Sequence, residues 1–233
     1  DAAGNTVTAD NSTVVAFAQA AGTGTVTGTG TATAAAGVAT KTITGALAGS
    51  ATMEATATGL TTGTLGAFTV VHGTATRIAF THSGSSASGD NHTLTATIQD
   101  AAGNTVTADN ATVVAFAKTG GAGTVTGLGN ATASSGVATK VVVNAAAGQI
   151  DLDAQASGLA TGTASYTIAP GSASTLTSTI AASPTAIVAN GSSTSAITVR
   201  LKDAAGNDLT GSGGTVALGL TGAGSLSAVT DNG

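Results

Sequence analysis

Three histidines, His72, His82 and His92, stand ten residues apart in a chain that has no cysteine. Imidazoles can hold zinc or pass protons, but zinc ligands come in closer clusters and known spacings. The spacing predicts solvated linker and strand histidines rather than a metal centre. An oxygen-based set is the second candidate. Asp1, Asn5, Asp10 and Asn11 recur as Asp100, Asn104, Asp109 and Asn110. Such oxygens can bind Ca2+, so calcium is the one cofactor that stays open. Turn capping by Asp and Asn accounts for the same residues without a metal and is the favoured reading. Asp151 and Asp153 share the wet face of one strand pattern and are too sparse for a joint site.

Other chemistry fares no better. The Gly-rich pieces at 22–28 and 120–127 lack the helix and the Lys-Ser/Thr pair of a phosphate loop. No G-x-S-x-G elbow occurs, nothing arranges His, Ser and Asp as a triad, and no paired-carboxylate cleft is legible. The T-x-T triplets (Thr6/Thr8, Thr25/Thr27, Thr29/Thr31/Thr33, Thr56/Thr58) could suggest a flat ice-matching array, but plain strand alternation explains them. Five N-x-S/T triplets (Asn11, Asn91, Asn110, Asn130, Asn190) are read as unglycosylated. No catalytic, cofactor-binding or metal residue is assigned, and no enzyme is expected.

What must position these residues is a long repeat. DAAGNTVTADN begins at Asp1 and again, unchanged, at Asp100; DAAGN returns at Asp203. Residues 1–64 align with 100–163 without a gap, and about two thirds of the positions are identical. Steps of 99 and 103 residues are too long for a solenoid unit, which runs roughly 20–50 residues. They suit a small β-sandwich. The expected domains are 1–72 (the C-terminal part of one), 73–170 (a complete one) and 171–233 (the N-terminal part of a third). The joints are short, His-Gly-Thr at 72–74 and Pro-Gly-Ser at 170–172, which favours an extended rod.

Strand patterns dominate. LTATIQ (94–99) and ITVRLK (197–202) alternate, placing Leu94, Ala96 and Ile98, or Ile197, Val199 and Leu201, on one face. DAAGN fits a hairpin turn, Asp accepting backbone N–H bonds and Gly taking the positive φ. TVVAFA (13–18, 112–117) and GVATK (37–41, 136–140) read as strands in both copies. ATMEATATG (51–59) and IDLDAQASG (150–158) keep an apolar face (Ala51, Met53, Ala55, Ala57; Ile150, Leu152, Ala154, Ala156) while the other face varies. Helices at Ala20–Ala21 and Ala34–Ala36 are rejected, because Gly and Thr interrupt them within a turn. The fold class is all-β.

Charged residues are 7% of the chain against about 25% in ordinary domains, and net charge is −5, so no basic footprint for nucleic acid exists. Leu, Ile, Val and Phe make up roughly a fifth of the residues, which predicts thin, Ala-rich cores of modest stability. No apolar run approaches the roughly 18 residues of a membrane span. No signal peptide is seen, and since Asp1 already lies inside a repeat the sequence is expected to begin after any targeting segment.

The string STLTSTIAASPTAIVANGSSTSAITVRLKDAAGNDLTG (174–211) resembles the start of group 1 bacterial Ig-like domains, the tandem modules of invasin- and intimin-type adhesins. TVALGLTGAGSLS (215–227), GVATKTIT (37–44) and MEATATG (53–59) resemble the rest of that pattern. The resemblance implies Ig-like β-sandwiches on the bacterial cell surface or outside the cell. It implies a non-catalytic stalk, filament, sheath or surface-layer module. The alternatives are an adhesin module that binds a host, glycan or other ligand directly, or a phage-particle decoration. The neutral Thr/Ser surface, poor in edge-guarding charge, makes neighbouring copies in a fibre or surface assembly the expected partners. The polar loop HSGSSASGDNH (82–92) is the most distinctive segment.

Overall fold

The computed structural model describes residues 1–84, 86–211, 214–222 and 224–230. Those residues contain strands and no helix. The first copy holds β1 (Val14–Gly22), β2 (Thr25–Thr27), β3 (Gly30–Thr33), β4 (Thr44–Leu47), β5 (Gly49–Thr56) and β6 (Gly63–Val70). The second holds β7 (Ala75–His82), β8 (Ser86–Ala87), β9 (Asn91–Asp100), β10 (Val113–Gly120), β11 (Thr124–Thr126), β12 (Gly129–Thr132), β13 (Val137–Ala146), β14 (Gly148–Gln155) and β15 (Gly162–Ala169). The third contributes β16 (Thr179–Ser183) and β17 (Ala196–Arg200). By contacts the chain divides into two compact units. One comprises Asp1–Arg77 with Ile98–Asn110, the other Ile78–Thr97 with the described residues from Ala111 onward.

In the second copy one sheet runs β12-β10-β14-β15-β8 and the other β11-β13-β9-β7. Three ring contacts join residues of different sheets, His82 of β7 lying 5.0 Å from Tyr166 of β15. Phe80 of β7 meets Phe116 of β10 edge-to-face at 5.6 Å, and His92 of β9 stacks on Tyr166 of β15 at 3.9 Å. The alternating faces read from the sequence are the buried ones: Leu94, Ala96 and Ile98 on β9, Ile150, Leu152 and Ala154 on β14. Between them the polar positions of β14 stay half-buried. This is a β-sandwich of Ig-like type with a small-residue core.

The first copy departs from the expectation in one segment. GVATK is a strand at 136–140, where β13 pairs with β9 from Val137↔Thr97 to Val143↔Asn91. The identical GVATK at 37–41 forms no strand, and Val38 is 55% exposed. Strand order is otherwise repeated: β3-β1-β5-β6 in the first copy matches β12-β10-β14-β15 in the second.

In the third copy β16 and β17 pair as an antiparallel ribbon, and TVALGLTGAGSLS (215–227) forms no strand among its described residues. Leu94 and Ile197 occupy equivalent positions, yet Leu94 is fully buried and Ile197 is 42% exposed.

Leu94→Ala is expected to cost about 2–5 kcal/mol by leaving a cavity, and Ile197→Ala less than about 0.5 kcal/mol. Urea titration followed by far-ultraviolet circular dichroism, which reads the strands of every copy, compares the two. Equal effects of the two substitutions would contradict the burial difference.

Candidate functional site: the joints between repeats

The DAAGN motif makes the turn its residues predict, three times over. Gly103 sits at φ 91° and donates its N–H to Asp100 O at 3.1 Å. Gly4 and Gly206 repeat this at φ 85° and 87°. Asp100 Oδ1 accepts from Asn104 N at 2.8 Å and Oδ2 from Asn104 Nδ2 at 2.9 Å. The carboxylate thus binds its own turn and fixes the amide of Asn104.

Two further bonds reach beyond the turn. Asp100 Oδ2 accepts the N–H of Gly73 in the joint at 2.7 Å. Asn104 Oδ1 accepts the N–H of Ala48, in the β4–β5 connection of the preceding repeat, at 2.9 Å. The next joint is built from the matching residues. Asp203 Oδ2 accepts from Gly171 N at 2.8 Å and from Asn207 Nδ2 at 2.7 Å, and Asn207 Oδ1 accepts from Ala147 N at 2.9 Å. In both joints the Asn Nδ2 also lies 3.4 Å from the carbonyl two residues before that alanine, Ala46 or Ala145. One five-residue motif therefore clips its own linker and the turn of the repeat before it. In the second joint the clip needs a glycine in the linker: a Cβ on Gly171 would lie 2.8 Å from the Ser88 carbonyl oxygen, whereas one on Gly73 would lie 3.3 Å from Asp100 Oδ2.

Asp100, Asn104 and Asp203 are buried, whereas Asp1 and Asn5 are exposed and bond only within their turn. The side-chain hydrogen bond from Asn104, followed by that from the Gly73 backbone, holds the Asp100 carboxyl at about 2. For Asp203 burial is the largest influence and pushes upward. The bonds from Asn207, Gly171 and Ala205 together outweigh it and bring the group to about 2.

This geometry bears directly on the calcium candidates. The oxygens of Asp100 and Asn104 face N–H donors, which is turn and joint chemistry rather than a cation cage. Asp10 Oδ1 caps Ser12 N and Thr13 N at 3.0 Å, and Asn11 Oδ1 accepts from Ala36 N at 2.8 Å. Asn110 Nδ2 donates to Ala108 O. Asp151 and Asp153 each accept from a neighbouring glutamine, Gln149 or Gln155. Among the described residues, no three His, Asp or Glu side chains gather as metal ligands.

The histidine reading needs correction. His72 lies apart, its Nδ1 on Gly73 O, but His82 and His92 meet. His92 is 1% exposed rather than solvated. Its Nε2 lies 3.3 Å from His82 Nδ1, its Nδ1 2.6 Å from Ser86 Oγ, and its ring stacks on Tyr166. Tyr166 donates to Asn144 Oδ1 at 2.8 Å. Burial, then the neighbouring His82, pushes His92 below its ordinary value, and burial raises Tyr166. A separation of ten residues hid this contact, because β7 and β9 are neighbouring strands joined by the 82–92 loop. The joint role of Asn104 and Asn207 was also missed. Its available signal was the glycine that both linkers share, Gly73 and Gly171.

Both joint aspartates have folded values below the unfolded one, near 3.9. Their contribution is therefore complete above about pH 4 and is lost as pH falls toward 2. The amides of Gly73 and Gly171 are expected to lose hydrogen-exchange protection in that interval, and Asp100→Asn is expected to abolish the pH dependence at Gly73. Protection at Gly73 that stays flat from pH 5 to 2 in the parent chain would contradict the clip.

Comparison with known proteins bears on the third copy first. Residues 174–233 match the family described as "Invasin, domain 3". No curated protein matches. Among solved structures, the Escherichia coli adhesin FdeC is 22% identical over 91% of this chain and 68% of that chain, with a TM-score of 0.42. Invasin, described as a bacterial integrin-binding protein, is 19% identical over 85% and 41%, with a TM-score of 0.41. A family 2 glycosyl hydrolase from Bacteroides cellulosilyticus is 16% identical over 68% and 22%, with a TM-score of 0.38. The chain thus spans well under half the length of the last two, and at these TM-scores the likenesses add no weight. The assignment rests on the family match and on the repeat, which aligns SAITVRLKDAAGN (195–207) with HTLTATIQDAAGN (92–104). Residues 174–233 match the invasin domain 3 family, and the repeat aligns the rest of the chain with them, which together support invasin/intimin-type Ig-like domains.

Proposed function

We propose that this chain is a non-catalytic structural segment of a bacterial cell-surface or extracellular protein, a series of Ig-like modules that holds a set spacing. The observation that carries this reading is the clip. The same Asp, Asn and linker Gly secure Ala48 in one joint and Ala147 in the next. A chain whose task were confined to one site would have no use for repeating its joint chemistry. The invasin domain 3 kinship supports placement at the cell surface, and the sparse charge supports a module that works by length and contact. Its neutral Thr/Ser faces lose little hydration on packing together. Neighbouring copies of the same chain, side by side in a fibre or surface assembly, are its proposed partners.

The chain lacks cysteine, so Thr163→Cys and Thr198→Cys, at exposed positions, give unique spin-label sites in the second and third copies. Pulsed electron resonance is expected to show one narrow distance distribution. Asn207→Ala, which strands the Ala147 N–H at a cost of about 1–3 kcal/mol, is expected to broaden it at least twofold. A broad distribution in the parent chain would overturn the set-spacing reading. Saturable capture of a host or glycan ligand, unchanged by Asn207→Ala, would turn it toward a directly binding adhesin module. For self-association, sedimentation velocity up to millimolar concentration is expected to show reversible oligomers, and a strict monomer would remove the assembly part.

A further inference from the structure

The His82–His92 contact touches the wall of the second joint. Ser86, bonded to His92 Nδ1, belongs to β8, which pairs in parallel with the end of β15 (Ile168↔Ser86, Ala169↔Ala87). The loop after it is tied to Asn144 and Ala145. Gly89 N donates to Asn144 O at 2.8 Å, Asn144 N to Asp90 O at 3.0 Å, and Ser88 Oγ to Ala145 O at 2.6 Å. That same Ala145 carbonyl faces Asn207 Nδ2, and Ala147 bonds Asn207 Oδ1. Ser88, Gly89, Asn144, Gly171 and Asp203 line one shallow concavity.

Proton placement at the pair follows from its partners. A carbonyl only accepts, so His82 Nδ1, 2.7 Å from Ser83 O, carries the hydrogen. His92 Nε2, 3.3 Å from that nitrogen, is then the acceptor, and His92 Nδ1–H donates to Ser86 Oγ. A proton added at His92 Nε2 sets N–H against N–H inside the sandwich. The other titratable or charged groups nearby give no relief. Asp90, before β9, is engaged by Ala87 N; Lys140 of β13 donates to Asn130 O; Tyr166 of β15 offers its ring face, and its hydroxyl is engaged by Asn144. Stacking of a cation on that ring offsets part of the penalty. The neutral pair is also favoured by the depressed His92 value, so its contribution is present above about pH 6.5 and lost as pH falls. Among the described residues the first joint shows no such network, and Gly45 and Phe68 stand where Asn144 and Tyr166 stand in the second copy.

We propose that the second joint is an acid-responsive hinge. Protonation of His92 at Nε2 releases the Ser86–Asp90 loop from Asn144 and Ala145 and so frees Ala147 and Gly171 from Asn207 and Asp203, while the first joint stays closed. This rests on the joint reading above.

Hydrogen exchange of the whole chain between pH 7.5 and 5, corrected for intrinsic rates, tests it. Protection of the Ala147 and Gly171 amides is expected to fall at least tenfold, with Ala48, Gly73 and the core amide of Leu94 unchanged. His92→Gln, which keeps a partner for Ser86, and His82→Phe, which removes the opposing N–H, are each expected to flatten the response. Equal pH dependence in both joints overturns the hinge, as does loss at Leu94, which marks whole-domain unfolding, or a response that persists in both variants. Asn207→Ala at pH 7.5 separates the two layers. Loss of Ala147 protection there keeps the joint even if the acid response fails, and unchanged protection sinks the joint itself.

Discussion

Backbone pairing is the constraint on which this molecule depends, because its side chains contribute little. Ala, Thr, Gly and Ser bury few methylenes, and each buried methylene is worth about 0.8 kcal/mol. A strand of such residues has no strong reason to stay extended unless both of its hydrogen-bonding edges find partners. Where the second copy supplies every partner, Leu94, Val114, Val142 and Ile150 reach complete burial. Ile197, which holds the position of Leu94 in the third copy, is 42% exposed.

The joints extend the same economy to the links between repeats. Apolar contact between such small side chains would hold successive repeats weakly. Two carboxylate-anchored turns do the work instead, each offering an ionised acceptor and a pre-oriented amide to backbone N–H groups. The clip is specific because N–H donors must arrive at two fixed places, and a bare glycine linker lets the chain come close enough. It tolerates the variable linker residues around it, His72 and Thr74 in one joint, Pro170 and Ser172 in the other. The second copy has a polar network of its own, His82, His92, Ser86, Tyr166 and Asn144, and Gly45 and Phe68 hold the positions of Asn144 and Tyr166 in the first copy.

Much of the fold was legible from residue order. The alternation of LTATIQ and IDLDAQ named the buried faces of β9 and β14, and DAAGN named its turn together with the glycine that takes positive φ. The histidine pair was not legible, since sequence distance says nothing about which strands lie side by side. Nor was the task of Asn104, because a capping asparagine and a joint asparagine look alike until the preceding repeat is placed beside it.

GVATK marks the boundary between the two kinds of information. Its β-branched residues set a strand preference in both copies, and residue order determined that much. Whether the preference is realised was decided by tertiary structure: at 137–143 β9 completes the ladder and Val142 is buried, while 37–41 forms no strand and Val38 is 55% exposed. Local propensity is worth tenths of a kcal/mol per residue, and an unpaired backbone loses more than that.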